Sequence, residues 1–249
     1  MDRLIQEAWQ LYHQADDSVV KPSIPILYFG DYERYNQSPL KVVTVGKNPS
    51  GNEFPRYDRF HRFTKARYIY PDILSGRCYS EYLIALNSYF QTKNQLDWFD
   101  RSYEPALKGA GWSFYNSGQR VALHTDICAP LATCKPWSTA DRELKRHLGP
   151  LGAHLWHRLM DHLQPDIIIA SIAREHREKI APLPLASWNE IYTLEQKVQT
   201  YTVTTTSIQL SSGKQTMVFY GRDAVRPFQP VSDREKERIG IAIRAYASA

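Results

Sequence analysis

The chain reads as an α/β protein in which helices cover a central, mostly parallel sheet. Three observations carry that reading. Two apolar, β-branched runs, Lys41 to Val45 and Val121 to Thr125, each break off into a loop, as buried parallel strands do at their carboxyl ends. A third run, Asp166-Ile-Ile-Ile-Ala-Ser171, follows a long leucine-periodic stretch. Alternating helix and strand is the pattern of a parallel sheet covered on both faces. No repeat, low-complexity linker or composition shift divides the 249 residues. One domain over 1–249 is therefore expected, and 43% hydrophobic residues suffice for its core.

The elements follow in order. Leu4, Ile5, Ala8, Trp9, Leu11 and Tyr12 recur at helical spacing and predict an amphipathic helix at the start of the sequence. The first strand is Lys41 to Val45. Residues 54 to 118 mix aromatics with charges at no single period and read as helices joined by long loops. The second strand is Val121 to Thr125. Leucines at 144, 148, 151, 155, 159 and 163 mark a helix entered near Pro150 and ended by Gln164-Pro165. The third strand is Asp166 to Ser171, with a helix from Ile172 to Ile180 behind it. Tyr201 to Leu210 alternates, turns through Ser211-Ser-Gly-Lys214 and returns as Gln215 to Tyr220, a hairpin into a final strand. Asp233 to Tyr246 closes the chain as a helix, with Ser232 as its N-cap.

The formal charge is +5 and the isoelectric point about 9.0, a mild basic excess that suits a polyanionic partner. Three cysteines, Cys78, Cys128 and Cys134, make no disulfide framework and fit a reducing compartment. They also fall short of the four thiolates that hold an iron–sulfur cluster. The first residues lack the apolar core of a signal peptide, and no stretch reaches membrane-spanning length. A soluble cytoplasmic monomer is expected, with no membrane partner. His154, His157 and His162 share one helix without carboxylate or thiolate company, so neither metal nor other cofactor is expected.

The most informative residues lie where the first two strands end. After the first comes Gly46-Lys47-Asn48-Pro49-Ser50-Gly51, which has neither a phosphate-cradling glycine pattern nor a nucleophile elbow. Taken alone, Asn-Pro-Ser-Gly is equally a plain turn. After the second comes His124-Thr-Asp126-Ile-Cys128-Ala-Pro130-Leu131, in which Asp126 either faces a ligand or caps a turn. Between them Arg56, Arg59, Arg62 and Lys65 recur every third residue among aromatics. That stretch is either a nucleic-acid surface or an amphipathic segment docking its rings into the core.

Together the two strand-end motifs resemble the uracil-DNA glycosylase superfamily, most closely its single-strand-selective monofunctional branch. The resemblance spans about Lys41 to Arg238. It implies an α/β/α sandwich around a mostly parallel four-stranded sheet, and a monofunctional hydrolase that flips a base and cleaves its N-glycosidic bond. Asn48 then stands in the catalytic place, orienting water against the anomeric carbon as the sugar becomes oxocarbenium-like. Asp126 stands where the family asparagine reads the Watson–Crick edge. An ionised carboxylate only accepts, so it opposes uracil O4 but suits the amino group of a cytosine-type base. A shared proton is needed for its second oxygen to pair with cytosine N3. Ser50 and Gly51 replace a bulkier residue and leave room for a substituent on C5.

By the same resemblance Phe60 and Phe63 are candidates to stack on the base, and Lys47, Arg56, Arg59 and Arg62 to hold phosphates. The last family motif, His-Pro-Ser-Pro, is missing, since all eight histidines lie at or before His176. In its place Arg222 is the candidate donor to O2 of the leaving base, and Arg226 with Phe228 the candidate wedge. Bulky 5-substituted cytosines, including hydroxymethylated and glucosylated ones, occur in bacteriophage DNA, and prokaryotic defence glycosylases of this superfamily are similar. The expected partner is therefore DNA, single- or double-stranded, with phage DNA carrying modified cytosine as the leading substrate. Repair of uracil or damaged pyrimidines and a catalytically silent DNA-binding module are the alternatives.

Overall fold

The computed structural model describes the chain except residues 69, 71–78, 116–119, 196–199, 224–226, 230 and 249. Its strands are β1 (Val42–Gly46), β2 (Ala122–Asp126), β3 (Ile167–Ile172), β4 (Asn189–Leu194), β5 (Tyr201–Gln209) and β6 (Gln215–Arg222). They form one six-stranded sheet in the order β2-β1-β3-β6-β5-β4. The first four in that order are parallel neighbours, and β5 and β4 continue the sheet antiparallel. The α/β class thus holds, but the sheet has six strands, not the four expected. The four-strand figure comes with the resemblance; the sequence pattern itself places five strands, and the one it lacks is β4. None of its residues is buried, so no apolar alternation marks it in the sequence. β1 and β3, by contrast, are buried at every residue and read as continuous apolar runs.

The helices are α1 (Asp2–Gln14), α2 (Tyr32–Gln37), α3 (Tyr79–Asn87), α4 (Asp97–Arg101), α5 (Glu104–Ala110), α6 (Arg142–Leu163), α7 (Arg174–Ile180) and α8 (Asp233–Ala247). α1 buries Leu4, Ile5, Ala8, Trp9 and Tyr12, the face its spacing predicts. α6 starts well before Pro150, which sits inside it. Buried Leu148, Leu155, Leu159 and Leu163 run along one stripe through the proline, and that burial outweighs one missing backbone bond. The Ser232 side chain caps α8, accepting from the Glu235 amide at 3.3 Å. Between β1 and β2, Phe54, Phe63, Tyr89, Phe90, Phe99 and Phe114 pack ring against ring into the core. No described helix is long and apolar enough to cross a membrane.

Candidate functional site

The carboxyl ends of β1, β2 and β3 open into a cleft of about 770 Å³, the position at which open α/β sheets bind ligands. Register alone puts the two sequence motifs side by side, because Gly46 pairs with Asp126. Backbone bonds then tie their loops. The Ile127 amide donates to the Gly46 carbonyl at 3.1 Å and the Cys128 amide to the Lys47 carbonyl at 2.7 Å. Tyr103 clamps β1 to β3, donating to the Val45 carbonyl at 2.6 Å and accepting from the Ser171 amide at 2.8 Å. These bonds fix how the three strand ends sit relative to one another. Gly46 is required there, since a Cβ would overlap Asp126 Oδ1 and come within 2.8 Å of His124 Nε2.

Asn48 lines this cleft with its amide orientation fixed by chemistry. Its Nδ2 donates to the Pro49 carbonyl at 2.9 Å, the Leu131 carbonyl at 3.2 Å and Thr133 Oγ1 at 2.9 Å. Thr133 Oγ1 itself donates to the Lys135 carbonyl at 2.6 Å, so it is left to accept. Three acceptors leave the amide nitrogen no other place. Oδ1 accepts from no described residue and remains the free polar atom of the side chain.

Asp126 is buried and also lines the cleft. Its Oδ1 lies 3.6 Å from His124 Nε2, and His124 Nδ1 is hydrogen-bonded to Thr44 Oγ1 at 2.7 Å. The His124 ring is fixed among Phe29, Trp98, Phe99 and Tyr103. The carboxylate therefore has a defined place on the floor, opposite the Asn48 loop.

A third polar group joins them unannounced by either motif. Glu53 ends the short 3₁₀ turn Gly51–Glu53, is 2% exposed, and lines the same cleft. Its Oε2 accepts from the Tyr89 hydroxyl at 2.7 Å, whose oxygen in turn accepts from the Leu96 amide at 3.3 Å. Burial, aided by the charge of Asp126, pushes the Glu53 carboxyl up to about 8 against the opposing pull of Tyr89 and Arg62. Asp223, buried at the end of β6, is the fourth cleft carboxyl counting Asp97, and its Oδ2 holds the following turn through the Gln229 amide at 2.6 Å. A weak signal existed for Glu53, an acid wedged between the motif and the apolar pair Phe54-Pro55.

Of the other residues singled out in the sequence, Lys47, Ser50 and Arg62 line the cleft. Ser50 also caps the 3₁₀ turn, and the Arg62 guanidinium is moored to the Asn52 and Asn94 carbonyls. Gly51 is not on the wall. The space of its missing Cβ is taken by the Thr133 carbonyl, 2.9 Å away, so it serves a backbone approach and not a substituent on C5. Phe60 and Phe63 dock into the core, Phe63 stacked on Phe54 at 5.3 Å and Phe60 against Tyr70 at 5.1 Å. The ring-docking alternative describes them: Phe54, Phe60 and Phe63 are buried, while Tyr57 of the same segment is exposed. The rings that do face the cleft are Phe29, Trp98, Phe99 and Trp137.

Arg56 is exposed outside the cleft, and Arg59 donates to the Phe54 carbonyl at 2.6 Å. Arg222 is exposed and lies off the cleft; its neighbour Asp223 turns inward instead. Phe228 is buried at 1% exposure, packs on Tyr103 at 5.7 Å and anchors its amide on Ser171 Oγ at 2.9 Å, so it is not a protruding wedge. Arg226 lies outside the described residues. Cys128 sits behind the floor, 3.6 Å from His176 Nδ1, with burial pushing its thiol up to about 12, so it packs as a neutral group. Among the described residues no three His, Cys, Asp or Glu side chains gather as a metal site would require. The chain matches no family model and no curated protein.

Proposed function

We propose that this cleft receives a flipped base and that the protein is a monofunctional DNA glycosylase of uracil-DNA glycosylase type, hydrolysing the N-glycosidic bond of a modified cytosine and leaving an abasic site. The observation that carries the reading is Asn48, whose amide is held by three acceptors so that Oδ1 alone is left to position water. Mechanism follows from the floor. Oδ1 accepts from a water and orients its lone pair toward the anomeric carbon, while the departing base is held by its polar edge. Asp126 supplies an acceptor for an exocyclic amino group, which a cytosine-type base has and uracil lacks.

The aromatic walls fit a π-face, and base–aromatic stacking contributes roughly 1–3 kcal/mol. At about 770 Å³ the cleft is larger than a bare pyrimidine needs and agrees with a bulky 5-substituent such as a glucosylated hydroxymethyl group. Phage DNA so modified is the substrate we favour, with antiviral defence as the role. The test is to incubate purified protein with genomic DNAs that differ only in cytosine modification and to count abasic sites. Sites appearing in the modified DNA alone support the reading, and none in any DNA overturns it.

A further inference from the structure

Glu53 has no counterpart in the motifs, yet it is the most deeply buried acid of the cleft. Its two oxygens differ. The Tyr89 hydroxyl accepts from the Leu96 amide and donates its proton to Glu53 Oε2. Oε1 bonds to no described residue, and it is not among the sealed polar atoms left without a partner, so its small exposure opens onto the cleft. A carboxyl group with one oxygen receiving a proton and the other free can hold its own proton on the free oxygen. The charged and titratable groups around it are Tyr89 from the 3₁₀ turn Tyr89–Gln91, Arg62 from the loop after Glu53, and Asp126 from β2. Lys47, Asp97, Arg101, His124 and Asp223 line the remainder of the same cleft.

We propose that Glu53 is a specificity-determining residue that donates a hydrogen bond from Oε1 to N3 of a cytosine-type base while Asp126 accepts from its exocyclic amino group. Glu53 as donor and Asp126 as acceptor then present the complement of the cytosine edge. Uracil, with N3–H and O4, meets both with the wrong polarity. This rests on the glycosylase reading above and supplies the proton that Asp126 alone lacks.

The experiment is base release from oligonucleotides carrying hydroxymethylcytosine, glucosylated hydroxymethylcytosine or uracil, followed from about pH 6 to about pH 9.5. With Glu53 titrating at about 8, wild-type kcat/KM on modified cytosine falls about ten-fold between about pH 7 and about pH 9. Glu53→Gln carries an N–H donor at every pH, and the same ratio shrinks to under about two-fold. Tyr89→Phe, which removes a bond that favours the ionised form, moves the alkaline limb to higher pH and serves should Glu53→Gln fail to fold. A pH-independent wild type overturns the assignment, as does a ten-fold fall that persists in Glu53→Gln or a limb unmoved in Tyr89→Phe. No base released from any of the three DNAs overturns the glycosylase reading itself, and the Glu53 assignment with it.

Discussion

Replacing Asn48 by aspartate alters one side-chain group and separates the proposed role of this residue from simple turn formation. The amide nitrogen faces two carbonyl oxygens, at 2.9 and 3.2 Å, and a hydroxyl already committed as donor elsewhere. Asn48→Asp removes both N–H hydrogens and puts an acceptor in front of acceptors. Each lost bond costs about 0.5–1.5 kcal/mol net, so two cost ~1–3 kcal/mol before any repulsion. Asn48 is only half-buried, which favours the lower half of that range. For a chain of this size ~1–3 kcal/mol lowers Tm by roughly 2–12 °C.

An aspartate in this place would be able to stabilise the proposed sugar cation electrostatically, so a merely permissive turn would give a stable and active variant. The cradle here predicts the opposite, a lower Tm and no gain in base release. Thermal unfolding by circular dichroism and base release on one preparation measure both. A variant melting within about 1 °C of wild type, or excising faster, refutes the argument from the three acceptors.

Gly46→Ala drives a methyl group into Asp126 Oδ1 and His124 Nε2; we expect base release to fall at least ten-fold, and unchanged kcat/KM would show the floor to be soft. Asp126→Asn converts an acceptor-only edge to one acceptor and one donor, and at roughly 1–3 kcal/mol per unsatisfied group should cut modified-cytosine release ten-fold or more while uracil release rises; a preference that does not move removes Asp126 as base reader. Arg62→Glu should weaken binding to all DNA sequences alike and lower the salt slope by about one, read from binding isotherms at several salt concentrations, and an unaltered slope places the DNA path elsewhere. Glu53 has its pKa raised on folding, from 4.5 to about 8, so the unfolded chain loses the proton first as pH rises. Its contribution is full below about 4.5 and is lost through about 8, so Glu53→Gln should gain on wild type by a few kcal/mol in urea unfolding between about pH 5 and about pH 8; equal pH slopes would contradict it.

What could be read from the sequence follows from how locally each feature is determined. β1, β2 and β3 announce themselves because strands buried on both faces must be apolar throughout, and their ends fix where a site can lie. Asn48 and Asp126 come to share one cleft because register, set by those same runs, brings Gly46 opposite Asp126. Phe60 and Phe63 misled because an aromatic has the same composition whether it faces a ligand or the core; only the packing of Phe54 against Phe63 decides. Arg222 ends β6 exposed, while Asp223, the next residue and already outside the strand, is buried and lines the cleft, a difference that no sequence period marks. Trp98 and Trp137 come from a five-residue helix and a single 3₁₀ turn, too short to carry a period that would place them.

In the proposed function, the charge pattern of the cleft would let a basic protein admit a base and not a phosphate. The chain carries a net +5, yet the interior of the cleft presents Glu53, Asp126 and Asp223, all at least nine-tenths buried. Lys47, Arg62 and Arg101 are only half-buried or exposed along the same walls. A polyanion drawn by the positive field therefore meets cations at the rim and carboxyl groups at the floor. In the proposed function this floor would turn phosphate away, while an uncharged ring with an amino donor would gain hydrogen bonds there. A pocket built to hold a free nucleotide would need the reverse order, with cations or helix amides deep inside. Rim and floor thus sort backbone from base, and in the proposed function that sorting turns non-specific attraction to DNA into capture of one flipped nucleotide.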